Sequence, residues 1–473
     1  MAHNFHIPVL GLGFSIDTPL KVARYGISSV VSIVDDELTE RMRAYHAQAN
    51  HVNYQAIPKK EEDYRAKRIT AYLNLLKQLV DEQFEHLQNL PFEPGNDLCK
   101  YFELLPEGSQ LKQGYDLMWI YPEGESKVIF QQILRKSIQK GSIDVNIMAK
   151  VDKMNFKNHV FTGDENTDAL AALRGFDNSN LESSLILSAG INPHLYTFIA
   201  NFPDFFPNAE GIIKKKLILK VSDFRSAFIQ AKFLAKKRLW ISEFRIESGL
   251  NCGGHAFATE GFLLGPILEE FKQKRNLITD ELFKGYSAIL AERNIHLNST
   301  PQQKVSVQGG IGTAKENEFL LNYYKVDATG WGSPFLLVPE VTNVDNDTLA
   351  QLQTAKEEDY YLSKVSPLGV LFNNFKYSSI NQLKAERIAK GRPGSPCTKK
   401  YLVSNTEFTT EPICTASREY QNLKIKQLNS LNLDQASYQQ QFDQITEKVC
   451  LCEGLCNASY IKYNILQPKK NKT

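Results

Sequence analysis

The chain has no excess of either charge: 55 Lys and Arg stand against 53 Asp and Glu in 473 residues, a net of +2. Without a strong field of one sign, neither nucleic acid nor an anionic membrane surface is an expected partner. No apolar run approaches the roughly 18 residues that a membrane span needs. Met1 to His6 lacks the cationic and apolar stretches of a secretory signal. Together these absences predict a soluble, cytoplasmic protein. Internal repeats and extended low-complexity segments are also lacking, and Lys469-Lys470-Asn471-Lys472 reads as a solvated tail. Cysteine is scarce over most of the chain, with only Cys99 and Cys252 before the C-terminal fifth, which suits a reducing compartment.

What is present suffices for a full core, since 42% of residues are hydrophobic and 11% aromatic. Strand and helix signals alternate through the first 340 or so residues, the pattern of parallel βα units. Strands are expected at Val9-Leu10-Gly11, Val30 to Val34, Ile143 to Met148, Leu185 to Ser188, Leu217 to Lys220, Leu239 to Ile246, Lys304 to Val307 and Asp327 to Thr329. These predict an α/β fold, a (β/α)8 TIM barrel over residues 1–340. Residues 36–140 interrupt the rhythm as a mainly helical insertion, in which Ile69, Tyr72, Leu73, Leu76, Leu79 and Val80 share one face. A lid, a dimer surface and simple packing bulk are all open readings of it. Residues 341–473 form a C-terminal extension with a helix near 346–358, a Gly/Pro turn at 391–396 and a cysteine-bearing tail.

The last three strands each end in a glycine-rich turn. Gly249-Leu250-Asn251-Cys252-Gly253-Gly254-His255 follows the sixth, Gly309-Gly310-Ile311-Gly312-Thr313 the seventh, and Gly330-Trp331-Gly332-Ser333-Pro334-Phe335 the eighth. Loops after the strands of a β/α barrel open on one face. Those after the last two commonly hold a phosphate, because bare backbone N–H groups can point at it. The plainer reading is that the glycines only permit left-handed turns.

Five landmarks in order resemble the nitronate monooxygenase (2-nitropropane dioxygenase) superfamily of FMN-dependent β/α barrels, which includes flavin-type enoyl-acyl carrier protein reductases. Ile7-Pro8-Val9-Leu10-Gly11 with Thr18-Pro19-Leu20 is similar to its first strand and helix, and Val145-Asn146-Ile147-Met148 to its third strand. Ala189-Gly190-Ile191-Asn192-Pro193 resembles the fourth-strand turn, Gly253-Gly254-His255 the "GGH" turn, and Gly309-Gly310-Ile311 with Gly332-Ser333-Pro334-Phe335 the phosphate loops. The family's glutamate before "AGGH" is absent, since Asn251 and Cys252 stand at the "EA" positions.

The resemblance implies an FMN-dependent oxidoreductase acting on a small organic substrate. Oxidation of a nitronate-like carbanion by a monooxygenase is the first choice. Reduction of an enoyl thioester, with NAD(P)H or a carrier protein as electron donor, is the second. A non-catalytic barrel within a multi-enzyme synthase is a third. Phosphate contacts would come from Gly309, Gly310, Gly332 and Ser333. Ring contacts would come from Gly11, Gly13 and Asn146, Gly253 and Gly254 would also bind the cofactor, and Lys220 would place a cation near the reduced flavin. His255, whose imidazole titrates near neutrality, would move the proton. Each residue also has a bland reading: Asn146 paired with backbone, Lys220 in a salt bridge, His255 donating to a loop carbonyl, Cys252 as a small apolar residue, Trp331 as packing.

The tail places three thiols within seven residues, Cys450-Leu451-Cys452-Glu453-Gly454-Leu455-Cys456. With Cys414 as a fourth, or Cys397, they suit an iron–sulfur cluster or a structural zinc, both of which take four thiolates. Free structural or redox thiols are the alternative.

Overall fold

Side chains along a barrel strand point alternately to two faces, and closure of the sheet sends the two sets to different places. The computed structural model describes residues 2–147, 152–157, 160–187, 191–208, 210–248 and 263–465. Eight parallel strands close into a barrel: β1 (Phe5–Ile7), β2 (Ser28–Ser32), β3 (Ile143–Ile147), β4 (Ser184–Leu187), β5 (Lys216–Val221), β6 (Ile241–Ile246), β7 (Lys304–Gln308) and β8 (Ala328–Gly330). Each pairs with its neighbours in sequence, and β8 pairs with β1.

Val30, Ile186 and Ile218 pack together with Val9. They come from β2, β4 and β5, and the non-adjacent β2 and β4 meet only across the inside of the barrel. The register carries that inward face from Val30 to Asp144, from Asn146 to Ile186, and from Ile218 to Glu243. It continues from Arg245 to Ser306, from Gln308 to Gly330 and from Gly330 to His6. The barrel interior is therefore strongly polar. The opposite parity is largely apolar and buried, with Val31, Val145, Leu185, Leu187, Leu217, Leu219, Phe244, Ile246, Val305 and Val307 alongside the buried hydroxyls of Ser29 and Thr329. That is the face against which a barrel's helices pack.

The first strand lies earlier than expected. It is Phe5–Ile7 rather than Val9 to Gly11, with His6 in register with Ser28 and Gly330. Pro8 has no N–H to extend the ladder, and Val9 instead joins the apolar plug of the interior. The helix α1 (Thr18–Val22) does start with proline in its first turn.

Between β2 and β3 run α2 (Asp36–Ala49), α3 (Tyr64–Asn89), α4 (Asp97–Glu103), α5 (Gln110–Ile120) and α6 (Glu125–Ser137). Asp35 caps α2 by accepting from the Glu37 and Leu38 amides. The apolar stripe of α3 is buried as its spacing predicts. Leu98, Tyr101, Phe102, Tyr115, Met118 and Leu134 of the insertion form one core with Val22, Tyr25 and Ile27 of the first βα unit. Packing is thus one thing the insertion does. The shell continues with α7 (Asp168–Asp177), α8 (Pro193–Ile199), α9 (Phe224–Ala235), α10 (Leu264–Ala291) and α11 (Ala314–Asn322).

The chain divides into two compact units, residues 1–247 with 265–342, and residues 248–264 with 343–473. Within the second, α12 (Asn346–Thr354) precedes the antiparallel pair β9 (Tyr360–Ser363) and β10 (Phe372–Phe375). It ends with α13 (Ser379–Ala389), α14 (Arg418–Asn429), α15 (Gln435–Thr446) and α16 (Leu451–Lys462). Val365, Val449 and Leu451 form a small core there. Among the described residues no helix is long and apolar enough to cross a membrane.

Candidate functional site

The turns after β7 and β8 lie side by side at the C-terminal ends of adjacent strands. The Gly309 amide faces the Gly330 carbonyl at 3.4 Å, and the Trp331 amide donates to the His6 carbonyl at 3.2 Å, so β7, β8 and β1 are stitched at one rim. Gly309 and Gly310 have φ of 87° and 70°. These left-handed conformations favour glycine and leave the backbone bare. Gly332 precedes the 3-10 turn Ser333–Leu337, and a Cβ there would stand 3.4 Å from Leu10 Cδ2. The next amides along the loop already have an acceptor: those of Gly312 and Thr313 both donate to the Glu316 carboxylate at 2.9 Å, in the capping box of α11.

Beneath this rim runs a chain of buried polar groups. Lys220 Nζ lies 3.2 Å from Glu247 Oε1, Gln308 Nε2 donates to Glu247 Oε2 at 2.6 Å, and Gln308 Oε1 is 3.4 Å from His6 Nε2. Glu247 is 1% exposed and His6 4%. Because the carboxylate fixes the orientation of the Gln308 amide, its oxygen faces the imidazole, and His6 must carry its proton on Nε2 to donate. Burial holds the His6 pKa well below its ordinary value, and the Arg245 charge adds to the effect against the Gln308 hydrogen bond. His6 is a neutral donor at physiological pH.

Gly330 makes the approach of His6 and Gln308 physically available. A Cβ on it would lie 2.6 Å from Gln308 Cβ and 2.7 Å from His6 Nε2. One layer deeper, Arg245 and Ser306 both donate to Glu243 Oε1, at 2.8 and 2.5 Å. Asp144, enclosed nearby, has its pKa raised by burial against the attraction of Arg245.

Of the residues singled out in the sequence, Lys220, Gly309, Gly310, Gly332 and Ser333 all fall at strand ends or in the turns that follow them, with Asn146 next to last in β3. Asn146 is half-buried and in register with Ser32 and Ile186. Gly11 and Gly13 lie in the turn after β1, where the Gly11 carbonyl accepts from the Ser15 hydroxyl at 3.3 Å. Trp331 turns its indole N–H to Thr329 Oγ1 at 3.0 Å, the packing alternative. His255, Gly253, Gly254 and Cys252 lie outside the described residues, as do Met148, Ala189 and Gly190.

Sequence reasoning missed His6, Gln308 and Glu247. The signal was the run of polar residues at every second position, Glu243-Arg245-Glu247 and Ser306-Gln308, which in an open sheet marks a solvated face and in a closed barrel marks the inside.

In the C-terminal unit, Cys414 and Cys452 are buried and Cys397 and Cys450 half-buried. Each thiol shifts its neighbour, Cys414 lowering the pKa of Cys397 and Cys452 that of Cys450, while Cys414 and Cys452 are themselves pushed up. Cys456 donates to the Cys452 carbonyl at 3.4 Å. Among the described residues no group of three or more His, Cys, Asp or Glu side chains is placed to hold a metal ion.

No family model matches the chain, and no curated protein matches it. Among solved structures it is similar to the enoyl reductase domain of MlnA from the macrolactin biosynthesis cluster of Bacillus amyloliquefaciens. The identity is 14%, over 73% of this chain and 75% of that one, with a TM-score of 0.35. A likeness that distant decides neither substrate nor cofactor.

Proposed function

We propose that the chain is an FMN-dependent oxidoreductase, with the flavin phosphate held by the turns after β7 and β8. The observation that carries this reading is the adjacency of two glycine turns at the C-terminal rim, one with consecutive left-handed glycines. Bare amides of that kind suit a dianion. The donor set fits FMN: Gly309, Gly310, Gly332 and Ser333 for the phosphate, and Gly11, Gly13 and Asn146 for the ring. When bound, the flavin supplies the exchange of electrons with the substrate.

The chain's own residues supply charge and proton control. Lys220 brings a cation to the rim, and the Glu247 carboxylate 3.2 Å away orients it. Glu247 also places a buried carboxylate just after the sixth strand, four positions before Asn251, which occupies the family's glutamate position. Gln308 and neutral His6 fix its other oxygen, so it is presented in one orientation. The resemblance assigns His255 the substrate's proton and favours oxidation of a nitronate-like carbanion.

Two assays on flavin-loaded protein test the reading. Oxygen consumption with an alkyl nitronate and no NAD(P)H is the expected result. NAD(P)H oxidation that requires an enoyl thioester would keep the flavin and replace the reaction. Neither activity would leave a non-catalytic barrel.

A further inference from the structure

The last helix of the insertion, α6, is built inside out. Its buried side chains are Lys127 and Leu134, while Val128, Ile129 and Ile133 stand 52%, 51% and 54% exposed. Lys127 is held by the Glu123 carboxylate at 2.5 Å and by the Trp119 ring, whose centroid lies 5.8 Å from Nζ. β-branched residues weaken an isolated helix, because they lose χ1 freedom against the preceding turn. Three of them on the solvent side therefore do nothing for α6 itself.

The neighbouring α5 does the same, exposing Leu117 and Ile120 at 47% and 79%. The two helices form one hairpin: Gln131 Nε2 donates to Met118 Sδ at 3.7 Å, and the Tyr121 and Phe130 ring centroids are 5.4 Å apart. A Cβ on Gly114 would stand 3.3 Å from Leu134 Cδ2, so the seam between the helices is already filled. At these exposures the aliphatic side chains of the two outward faces present on the order of 500 Å², the apolar share of a standard interface of about 800 Å² per partner.

The order of residues on the exposed face of α6 selects the occupant. From its start that face carries Glu125, Val128, Ile129, Gln132, Ile133 and Lys136. Laid antiparallel on a second copy of itself, it sets Glu125 against Lys136, Val128 against Ile133 and Ile129 against Gln132, each pairing occurring twice about a two-fold axis. An acid meets a base at both ends, and aliphatic side chains meet in between. Within one copy Glu125 and Lys136 are about 16 Å apart along the helix, too far to pair with each other. We infer that the outward face of the α5–α6 hairpin joins two copies of this chain, with α6 crossing its counterpart antiparallel at the two-fold axis. The surface lies on the insertion and stands or falls independently of the flavin reading.

Sedimentation equilibrium of the full-length protein tests this, with a dimer expected at micromolar concentration. Ile133→Asp should be monomeric with an unchanged far-UV circular dichroism spectrum, because the side chain is exposed in the single copy. Glu125→Lys and Lys136→Glu should each weaken the dimer about ten-fold, since symmetry doubles every like-charge pair. Mixed in equal amounts, these two variants should recover the wild-type affinity, because each copy then supplies the charge that the other lacks. Should Ile133→Asp not fold, the charge variants decide the matter. The inference is overturned by a wild type that stays monomeric, whatever else covers the face, by a dimer that a folded Ile133→Asp leaves intact, or by charge variants whose mixture dimerises no more tightly than either alone.

Discussion

Replacing Gly330 by alanine adds a single methyl group to a crowded point of the barrel interior. Its Cβ would lie 2.6 Å from Gln308 Cβ and 2.7 Å from His6 Nε2, and real Cβ atoms do not approach that closely. Gln308 Cβ is anchored to its own strand, and β8 is hydrogen-bonded on both sides, to β1 and β7, so neither strand can retreat. Overpacking of a filled interior costs about 1–3 kcal/mol, and loss of the His6–Gln308 hydrogen bond adds about 1 kcal/mol. The variant should therefore unfold in urea with a stability lower by about 2–4 kcal/mol, read by circular dichroism. Two controls separate crowding from backbone conformation. Gly310→Ala should cost about 1–2 kcal/mol because of its left-handed φ. Gly332→Ala, whose Cβ meets only Leu10 at 3.4 Å, should stay within about 0.5 kcal/mol of wild type. If Gly330→Ala is as stable as Gly332→Ala, the polar chain beneath the rim is not packed as described.

Other perturbations follow from the same geometry. Glu247→Gln and Lys220→Met should each destabilise, and the double variant should recover about 0.5–3 kcal/mol relative to their sum; additive effects in the double-mutant cycle would deny the 3.2 Å pairing. Below the ordinary histidine value of 6.5 the unfolded chain takes up a proton that buried His6 refuses. Stability should therefore fall as pH drops from 6.5 toward the depressed folded value. His6→Asn should flatten that slope in urea titrations at a series of pH values, and an unchanged slope would refute it. Lys215, fully buried, donates to the Phe176, Asp177 and Ser179 carbonyls at 2.6–2.9 Å. Lys215→Met should cost about 3 kcal/mol or more by orphaning them, and a loss under about 1 kcal/mol in the same urea assay would show the bonds to be dispensable.

Much of the barrel was legible because its outward face is aliphatic at every second residue, and runs such as Leu217-Ile218-Leu219 announce a buried strand. The first strand was misplaced by its own chemistry: three residues with a histidine in the middle carry little strand signal, whereas Val9-Leu10 just beyond Pro8 carries a strong one. The glycine turns could be read because a left-handed residue restricts the choice of side chain. The Lys220–Glu247–Gln308–His6 chain could not, since its linked members His6 and Gln308 are 302 positions apart and only closure of the sheet makes them neighbours. Cys397 was visible as a thiol, but its place in the fold depends on the pairing of Ser395 with Ser417, which no local pattern encodes.

The flavin content of the purified protein tests the central claim most directly. The account predicts flavin absorbance with about one FMN released per chain on acid treatment, or saturable quenching of FMN fluorescence by the stripped protein that Gly310→Ala weakens. A colourless protein that binds no added FMN would contradict it.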